Sequence, residues 1–322
     1  MVTLQKIAEL AHVSKSAASY AFSDKPDKRD KLSVETRERI LEIARKFNYQ
    51  PSVSGRGLAL SRSYSLGLLL SKKNVHGFSP HFMAMFHGVA DAISKSDYNL
   101  PLFFGWNEKL EANIRQHRLD GLLVVSRLLN SPVFDKLSNL DIPVLCLNRL
   151  SCGGNCLSVT TDMNGWAEQS LKVFAERGYR KAALYSRDPA HLAMDADLAA
   201  NFPQICAKFG IESRQLSMDN FTSEADDVAC LFRGDCQSLK HWFQMAPAAA
   251  ERTAVFCSPD TCIEEGYPLE CCSYHCSSHL GEVGALTLIQ EVESHNAPRN
   301  LLLPCLKATQ YKYRPNTILD DL

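Results

Sequence analysis

Residues 3–20 leave this chain few ways to fold. Thr3-Leu4-Gln5-Lys6-Ile7-Ala8-Glu9-Leu10-Ala11-His12-Val13-Ser14-Lys15-Ser16-Ala17-Ala18-Ser19-Tyr20 predicts two short helices meeting at a tight turn. Thr3 and Ser14 are hydroxyl residues placed to accept a backbone N–H at a helix start. Leu4, Ile7, Ala8 and Ala11 fall on one face at helical spacing, and Val13 fills the turn. Ala18 and Phe22 carry the apolar face onto the second helix. Its outward face keeps Lys15, Ser16, Ser19 and Tyr20, all able to hydrogen-bond to phosphates or base edges. Such a pair is a helix-turn-helix, whose second helix enters the DNA major groove.

Ser33 opens a third helical run from Val34 to Phe47, with Ile40, Ile43, Ala44 and Phe47 on one face. Asn48-Tyr49-Gln50-Pro51 ends it, because the residue before a proline avoids the helical region. A polar loop, Asp24 to Lys31, joins the second and third helices.

Two helices, a loop, a third helix, Asn-Tyr-x-Pro and a short segment ending in Leu58 resemble the DNA-binding headpiece of the LacI/GalR repressors over residues 2–62. Ala18-Ser19-Tyr20 and the long loop before Lys31-Leu32-Ser33-Val34-Glu35-Thr36 look most like the fructose-repressor branch. The resemblance implies that Lys15, Ser16 and Tyr20 read bases and that Ser14, Ala17 and Ser19 face phosphates. It extends the DNA contacts to Thr3, Arg29 and Thr36, and to Ser52, Val53, Arg56 and Leu58. Residues 52–61 correspond to the family's hinge helix, which folds on DNA and presses a leucine into the minor groove; Leu58 stands at that position. Gly55 and Gly57 depart from the family there, and each glycine costs about 1 kcal/mol relative to Ala in a helix interior. The expected division is a headpiece over 1–50, a hinge over 51–63 and a sensor and dimerisation domain over 64–322. A plain Gly/Ser-rich linker over 51–62 is the alternative to a hinge helix.

Charge separates the same parts. Residues 1–62 hold 12 Lys+Arg against 7 Asp+Glu, a net of +5, which leaves 23 against 29 for the remainder. A basic head on an acidic body is the asymmetry expected of a DNA-binding arm. No signal peptide or span-length apolar run is found, and the chain begins directly with its first helix, so a cytoplasmic protein is expected. Twelve cysteines are all outside the headpiece and are expected to stay reduced in that compartment. Cys271-Cys272-Ser273-Tyr274-His275-Cys276 has metal-ligand chemistry but not the paired spacing of a structural zinc site. A buried strand with Cys as a small hydrophobe is the expectation, with no metal and no cofactor.

From Ser65 onward, short apolar runs alternate with helical patterns. Strands are expected at 65–70, 100–104, 120–125, 142–147, 156–159, 181–185, 255–257, 270–274 and 300–304. Helices are expected at 82–93, 112–118, 164–177, 202–209 and 281–292. This is the pattern of buried parallel strands in βαβ units, giving two doubly wound α/β lobes with a ligand at the carboxyl ends of strands. The fold class is therefore an all-α helix-turn-helix headpiece plus an α/β two-lobed sensor. The body resembles the periplasmic-binding-protein-like sensor of the same repressors, clearly through residue 185 and patchily beyond. Leu145-Cys146-Leu147-Asn148-Arg149 and Val159-Thr160-Thr161-Asp162-Met163-Asn164-Gly165 carry the likeness.

The resemblance places effector contacts at His81, Phe82, Arg149, Asp162, Asp260 and His275. Core packing for Phe82 and a structural ion pair for Arg149 and Asp162 are the competing readings. Trp106 follows a strand and can stack on a sugar or pack at the rim. Two departures stand out: Leu198 occupies the position of the family's ligand-gripping arginine, and His275-Cys276 stands where an Asp is usual. A helix also looks to be missing between Asp260 and the next strand. The leading expectation is a ligand-regulated transcription factor, a repressor without enzymatic activity, working as a homodimer on a pseudo-palindromic double-stranded DNA operator. Its effector would be a sugar or sugar derivative, and no membrane is involved. The alternatives are a DNA-binding dimer whose sensor has lost its small ligand, and a metal- or redox-responsive regulator using Cys271, Cys272, His275 and Cys276. No P-loop, nucleophile elbow or metal-hydrolase spacing supports an enzyme.

Overall fold

The structure is a computed structural model, and it describes residues 2–23, 30–49, 62–71, 80–125, 132–150, 154, 156–186, 190, 192–216, 227–234, 236–245, 252–256, 272–274 and 276–307. The chain divides into two compact units, residues 1–64 and 65–322.

In the first unit, α1 (Leu4–Leu10) and α2 (Lys15–Ala21) are followed by α3 (Val34–Lys46). Each helix starts on a hydroxyl cap. Thr3 Oγ1 accepts from the Lys6 N–H at 3.3 Å, Ser14 Oγ from Ala17 at 3.1 Å, and Ser33 Oγ from Thr36 at 3.2 Å. The core is Ile7, Ala8, Ala11, Ala18, Ala21 and Ile40. Four alanines in six positions let the short helices approach closely around two isoleucines. The Arg37 Nε–H donates to the Ala21 carbonyl at 3.3 Å and so partners an exposed end of α2.

The second unit holds two six-stranded sheets. One is all parallel, in the order β11-β5-β4-β3-β1-β2. It comprises β1 (Leu66–Leu70), β2 (Leu102–Phe104), β3 (Gly121–Val125), β4 (Val144–Leu147), β5 (Leu157–Thr161) and β11 (Asn300–Leu303). With it go α4 (Pro80–Ser94), α5 (Glu108–Arg115), α6 (Pro132–Ser138) and α10 (Ser277–Ser294). β1, β3, β4 and β5 are buried at every position; β1, β3 and β4 read as unbroken apolar runs for that reason, whereas β5 carries Ser158, Thr160 and Thr161 in its buried run. The other sheet has the order β12-β10-β9-β8-β6-β7, parallel except for the β10–β12 pair. Its strands are β6 (Lys181–Ser186), β7 (Glu212–Leu216), β8 (Val228–Arg233), β9 (Thr253–Phe256), β10 (Cys272–Tyr274) and β12 (Leu306–Lys307). Its helices are α7 (Met163–Glu176), α8 (Ala193–Lys208) and α9 (Cys236–Met245).

The chain passes between the sheets three times among the described residues: from β5 into α7, from β10 into α10, and from β11 to β12. Two of these crossings are tied together. The Asp162 N–H donates to the Leu303 carbonyl at 2.8 Å, and the Cys305 thiol donates to the Asp162 carbonyl at 3.4 Å. After the remaining crossing, α10 packs on α4 so closely that a Cβ on Gly88 would lie 1.8 Å from the Ser278 carbonyl oxygen. A Cβ on Gly281 would lie 2.0 Å from that of Met85. Only glycine fits at these two positions.

Several expectations need correction. The helix expected at 202–209 begins at Ala193 and carries Pro203 in its interior, so the proline is tolerated by packing rather than marking a start. The helix expected at 112–118 runs from Glu108 to Arg115, because Asn107 caps it through the Leu110 N–H at 2.9 Å. β7, β8, β12, α6 and α9 were not expected. Cys146 in β4 is disulfide-bonded, against the expectation of reduced thiols, while Cys156, Cys206, Cys230, Cys276 and Cys305 are in no disulfide. No described helix is long and apolar enough to cross a membrane.

Candidate DNA-reading head and effector cleft

In the head, packing fixes which face of α2 looks outward. Ala18 and Ala21 are wholly buried, whereas Ser14, Lys15, Ser16 and Ser19 are exposed and Ala17 and Tyr20 are half-buried. The expected base-reading residues therefore share one solvent face on a short, capped helix. The Lys31 ammonium sits 5.6 Å from the Tyr20 ring centroid, which anchors the ring and adds positive charge beside it. Thr3 and Ser14 spend their side-chain oxygens on caps, so any phosphate contact from Ser14 shares that oxygen. Thr36 receives a hydrogen bond from the Ser33 hydroxyl at 2.8 Å at the start of α3. Arg29, Ser52, Val53, Arg56 and Leu58 lie outside the described residues, as do Asp260 and His275.

The remaining expected effector residues cluster around the crossings. His81, in the first turn of α4, pairs through Nδ1 with the Ser277 hydroxyl at 2.6 Å and through Nε2 with Asn148 Nδ2 at 3.2 Å. His81 thus links the end of β4 to the first residue of α10. Asn148 adopts the left-handed conformation at φ 58°, which a short polar side chain tolerates, and its buried Oδ1 has no hydrogen-bond partner. Phe82 is buried and stacked on Phe86 with centroids 6.4 Å apart, the packing role. The Arg149 guanidinium lies 3.8 Å from the Phe134 ring centroid, and burial lowers its pKa. Asp162 caps α7, accepting the Gly165 N–H at 2.8 Å. Gly165 permits this because a Cβ there would sit 2.2 Å from the carboxylate. Arg149 and Asp162 are therefore held by different neighbours, a cation–π contact and a helix cap. Trp106 donates to the Glu111 carboxylate and lies under Lys136 at 5.1 Å, a rim arrangement in which that indole hydrogen bond, the largest influence, lowers the Glu111 pKa.

Leu198, at the expected arginine position, is fully buried in the core of the second sheet with Trp166, Phe202 and Phe256. A polar group not expected from sequence lies at the carboxyl ends of that sheet instead. Ser186, Arg233 and Phe256 end β6, β8 and β9 and pair in register across the three strands. Asp195, in the first turn of α8, is wholly buried; its Oδ1 accepts the Ser186 hydroxyl at 2.9 Å and lies 3.5 Å from Arg233 Nη1. The only sequence signal for it was an arginine directly after the apolar run Val228–Phe232. A small cavity of about 20 Å³, room for roughly one water, lies beside this region and is lined by Asp162, Asn164, Met194 and Asp197 among others. Among the described residues, no three His, Cys, Asp or Glu side chains are grouped to hold a metal ion.

Comparisons with known proteins follow this division. Residues 3–52 match the bacterial regulatory proteins of the lacI family. The sucrose operon repressor of Klebsiella pneumoniae is 31% identical over 218 residues, covering 66% of this chain and 63% of that protein. The chain spans less than two thirds of the length of the curated relatives it matches first, 54% for the next three. Among solved structures, a lac repressor dimer bound to operator and an anti-inducer has a TM-score of 0.59 at 17% identity, covering 94% of this chain and 96% of that one. A complex of the transcriptional regulator CelR with cellobiose has a TM-score of 0.56 at 19% identity, covering 95% and 98%. These two structures establish a shared fold.

Proposed function

From the premise that its N-terminal unit is a lacI-family helix-turn-helix domain, we propose that this chain is a sequence-specific transcriptional regulator, a repressor, whose two-lobed body senses a small molecule. The observation that carries the reading is the outward face of α2. Lys15, Ser16, Ser19 and Tyr20 are displayed on a helix whose opposite face is locked by Ala18 and Ala21 against Ile7 and Ile40. A helix so mounted delivers donors and acceptors to base edges at fixed positions, and the net +5 head supplies phosphate attraction. A homodimer presents two such helices to a pseudo-palindrome, and Leu58 wedges its central minor-groove step. The effector acts through lobe closure, because the crossings at Asp162 and Ser277 are the hinges that a ligand between the lobes would bend. A sugar effector is supported by the named roles of the relatives, a sucrose operon repressor and a cellobiose-bound regulator. The protein works in the cytoplasm and has no catalytic role.

Selection of binding sites from random duplexes, followed by a gel-shift titration, tests this. The full chain should select one palindromic site, and affinity should fall steeply as salt rises. A truncation lacking residues 1–62 that bound the selected duplex equally well would refute it. Leu58→Ala should reduce DNA bending while leaving dimerisation intact, and unchanged bending would reduce residues 51–63 to a linker.

A further inference from the structure

The buried pair at the carboxyl ends of β6, β8 and β9 is an expensive feature that folding alone does not require. Asp195 is 0% exposed and Arg233 only 16%. Replacing such a pair by apolar residues is often neutral or stabilising, so its presence calls for another explanation. The Ser186 hydroxyl and Arg233 Nη1 both meet the same carboxylate oxygen of Asp195, Oδ1. The second oxygen, Oδ2, is buried without a hydrogen-bond partner. So is the indole N–H of Trp166, whose ring meets Phe256 edge-on at 5.5 Å, while Arg233 lies 5.7 Å over the same Phe256 ring. An unmet acceptor and an unmet donor, joined through Phe256 to a guanidinium at strand ends, are what a missing hydrogen-bonding ligand leaves behind.

We propose that Asp195 and Arg233 are the polar anchor of the second lobe for an uncharged, hydroxyl-rich effector, and that they discriminate against anionic ones. This rests on the sensor reading given above and adds the effector's charge class. The guanidinium that the sequence resemblance places at position 198 comes here from the last residue of β8, already neutralised. A sugar hydroxyl can donate to Asp195 Oδ2 while accepting from the guanidinium, and neighbouring hydroxyls use both partners at once. A phosphate or carboxylate drawn to Arg233 would come to lie beside Asp195, whose Oδ1 is 3.5 Å from Nη1. Repulsion between the two anions in a poorly hydrated site cancels much of the attraction. Phe256 and the register pairing of β6, β8 and β9 hold Arg233 in place, so it does not swing away to serve an anion separately.

The test uses the full chain and a panel of glucose, fructose, sucrose, maltose and cellobiose, set against hexose phosphates and hexuronic acids. Thermal shift finds binders and calorimetry ranks them. At least one neutral sugar should bind, and more tightly than any phosphate or uronic acid made from its parent hexose. Asp195→Asn should weaken that sugar roughly ten- to hundredfold, the loss of a hydrogen bond to a charged group. Because Arg233→Gln alone would leave Asp195 buried and uncompensated, the double change Asp195→Asn with Arg233→Gln is the second variant, with circular dichroism reporting its fold. It too should lose the sugar. An anionic sugar binding more tightly than its neutral parent would overturn the proposal. So would neutral-sugar affinity unmoved in both variants, or no sugar bound by a chain that still recognises its selected duplex. Loss of duplex recognition by the unaltered chain would instead strike the regulator reading itself.

Discussion

Replacing Gly281 by alanine sets two effects of opposite sign against each other. Gly281 lies within α10, where alanine is favoured by about 1 kcal/mol. Its new Cβ would, however, sit 2.0 Å from the Met85 carbonyl oxygen and 3.0 Å from the Val89 nitrogen, both backbone atoms of α4. Ordinary contact begins near 3.4 Å, so α10 must move off α4 by about 1.4 Å. A gap of that size forfeits half or more of the dispersion across the affected contacts, and overpacking of this kind costs about 1–3 kcal/mol, sometimes more. The carbonyl cannot rotate away as a side-chain tip could. One turn on, a Cβ at Gly284 would lie 2.2 Å from Leu147 Cδ2, so α10 is close-packed on β4 as well. Because the new contact is with backbone, the upper end of that overpacking range applies, about 3 kcal/mol, and Gly281→Ala should destabilise the second unit by about 2 kcal/mol once the helix gain of about 1 kcal/mol is subtracted. Gly88→Ala should do the same from the opposite helix, its Cβ meeting Ser278 at 1.8 Å. Urea denaturation followed by circular dichroism measures the change, with the head's own transition identified from a 1–62 fragment if the two separate. An unchanged or raised midpoint in both variants would show that propensity dominates and that the helices do not cross at backbone contact.

Other outcomes follow from the same structure. Lys15→Ala should relax preference at particular operator positions by about 1–3 kcal/mol, whereas a uniform loss on all duplexes in a competition assay would mark a phosphate contact. Ser14→Ala removes the cap that accepts the Ala17 N–H at 3.1 Å and should cost the head about 1 kcal/mol of stability, while Ser14→Gly should cost less. Ile40→Ala empties a wholly buried position of a core with only two isoleucines, and a loss of about 2–5 kcal/mol should leave the head largely unfolded by melting and unable to shift DNA. Asp162→Ala should weaken α7 by about 1 kcal/mol and lower the thermal midpoint, and no change would mean that the Gly165 N–H finds another acceptor.

The head was legible because its instructions are local. Thr3, Ser14 and Ser33 cap helices within three residues of themselves, and the alanine and isoleucine spacing names the buried face directly. β1, β3 and β4 were legible for a related reason: strands buried on both faces favour unbroken apolar runs, and these three have them. Periodicity failed where packing decides. Glu212–Leu216 forms an edge strand from a largely polar run, and Pro203 sits inside a helix that tertiary contacts carry past it. Sequence placed His81, Arg149 and Asp162 near a cleft, but only the folded chain shows His81 joining Asn148 to Ser277 and Asp162 joining two crossings. The pairing of Asp195 with Arg233 spans 38 positions and three strand ends, so no spacing rule reaches it. Short-range hydrogen bonds and burial patterns are written in consecutive residues. Charge pairing, close helix crossings and hinges depend on which distant segments meet, and that is settled only when the sheets assemble.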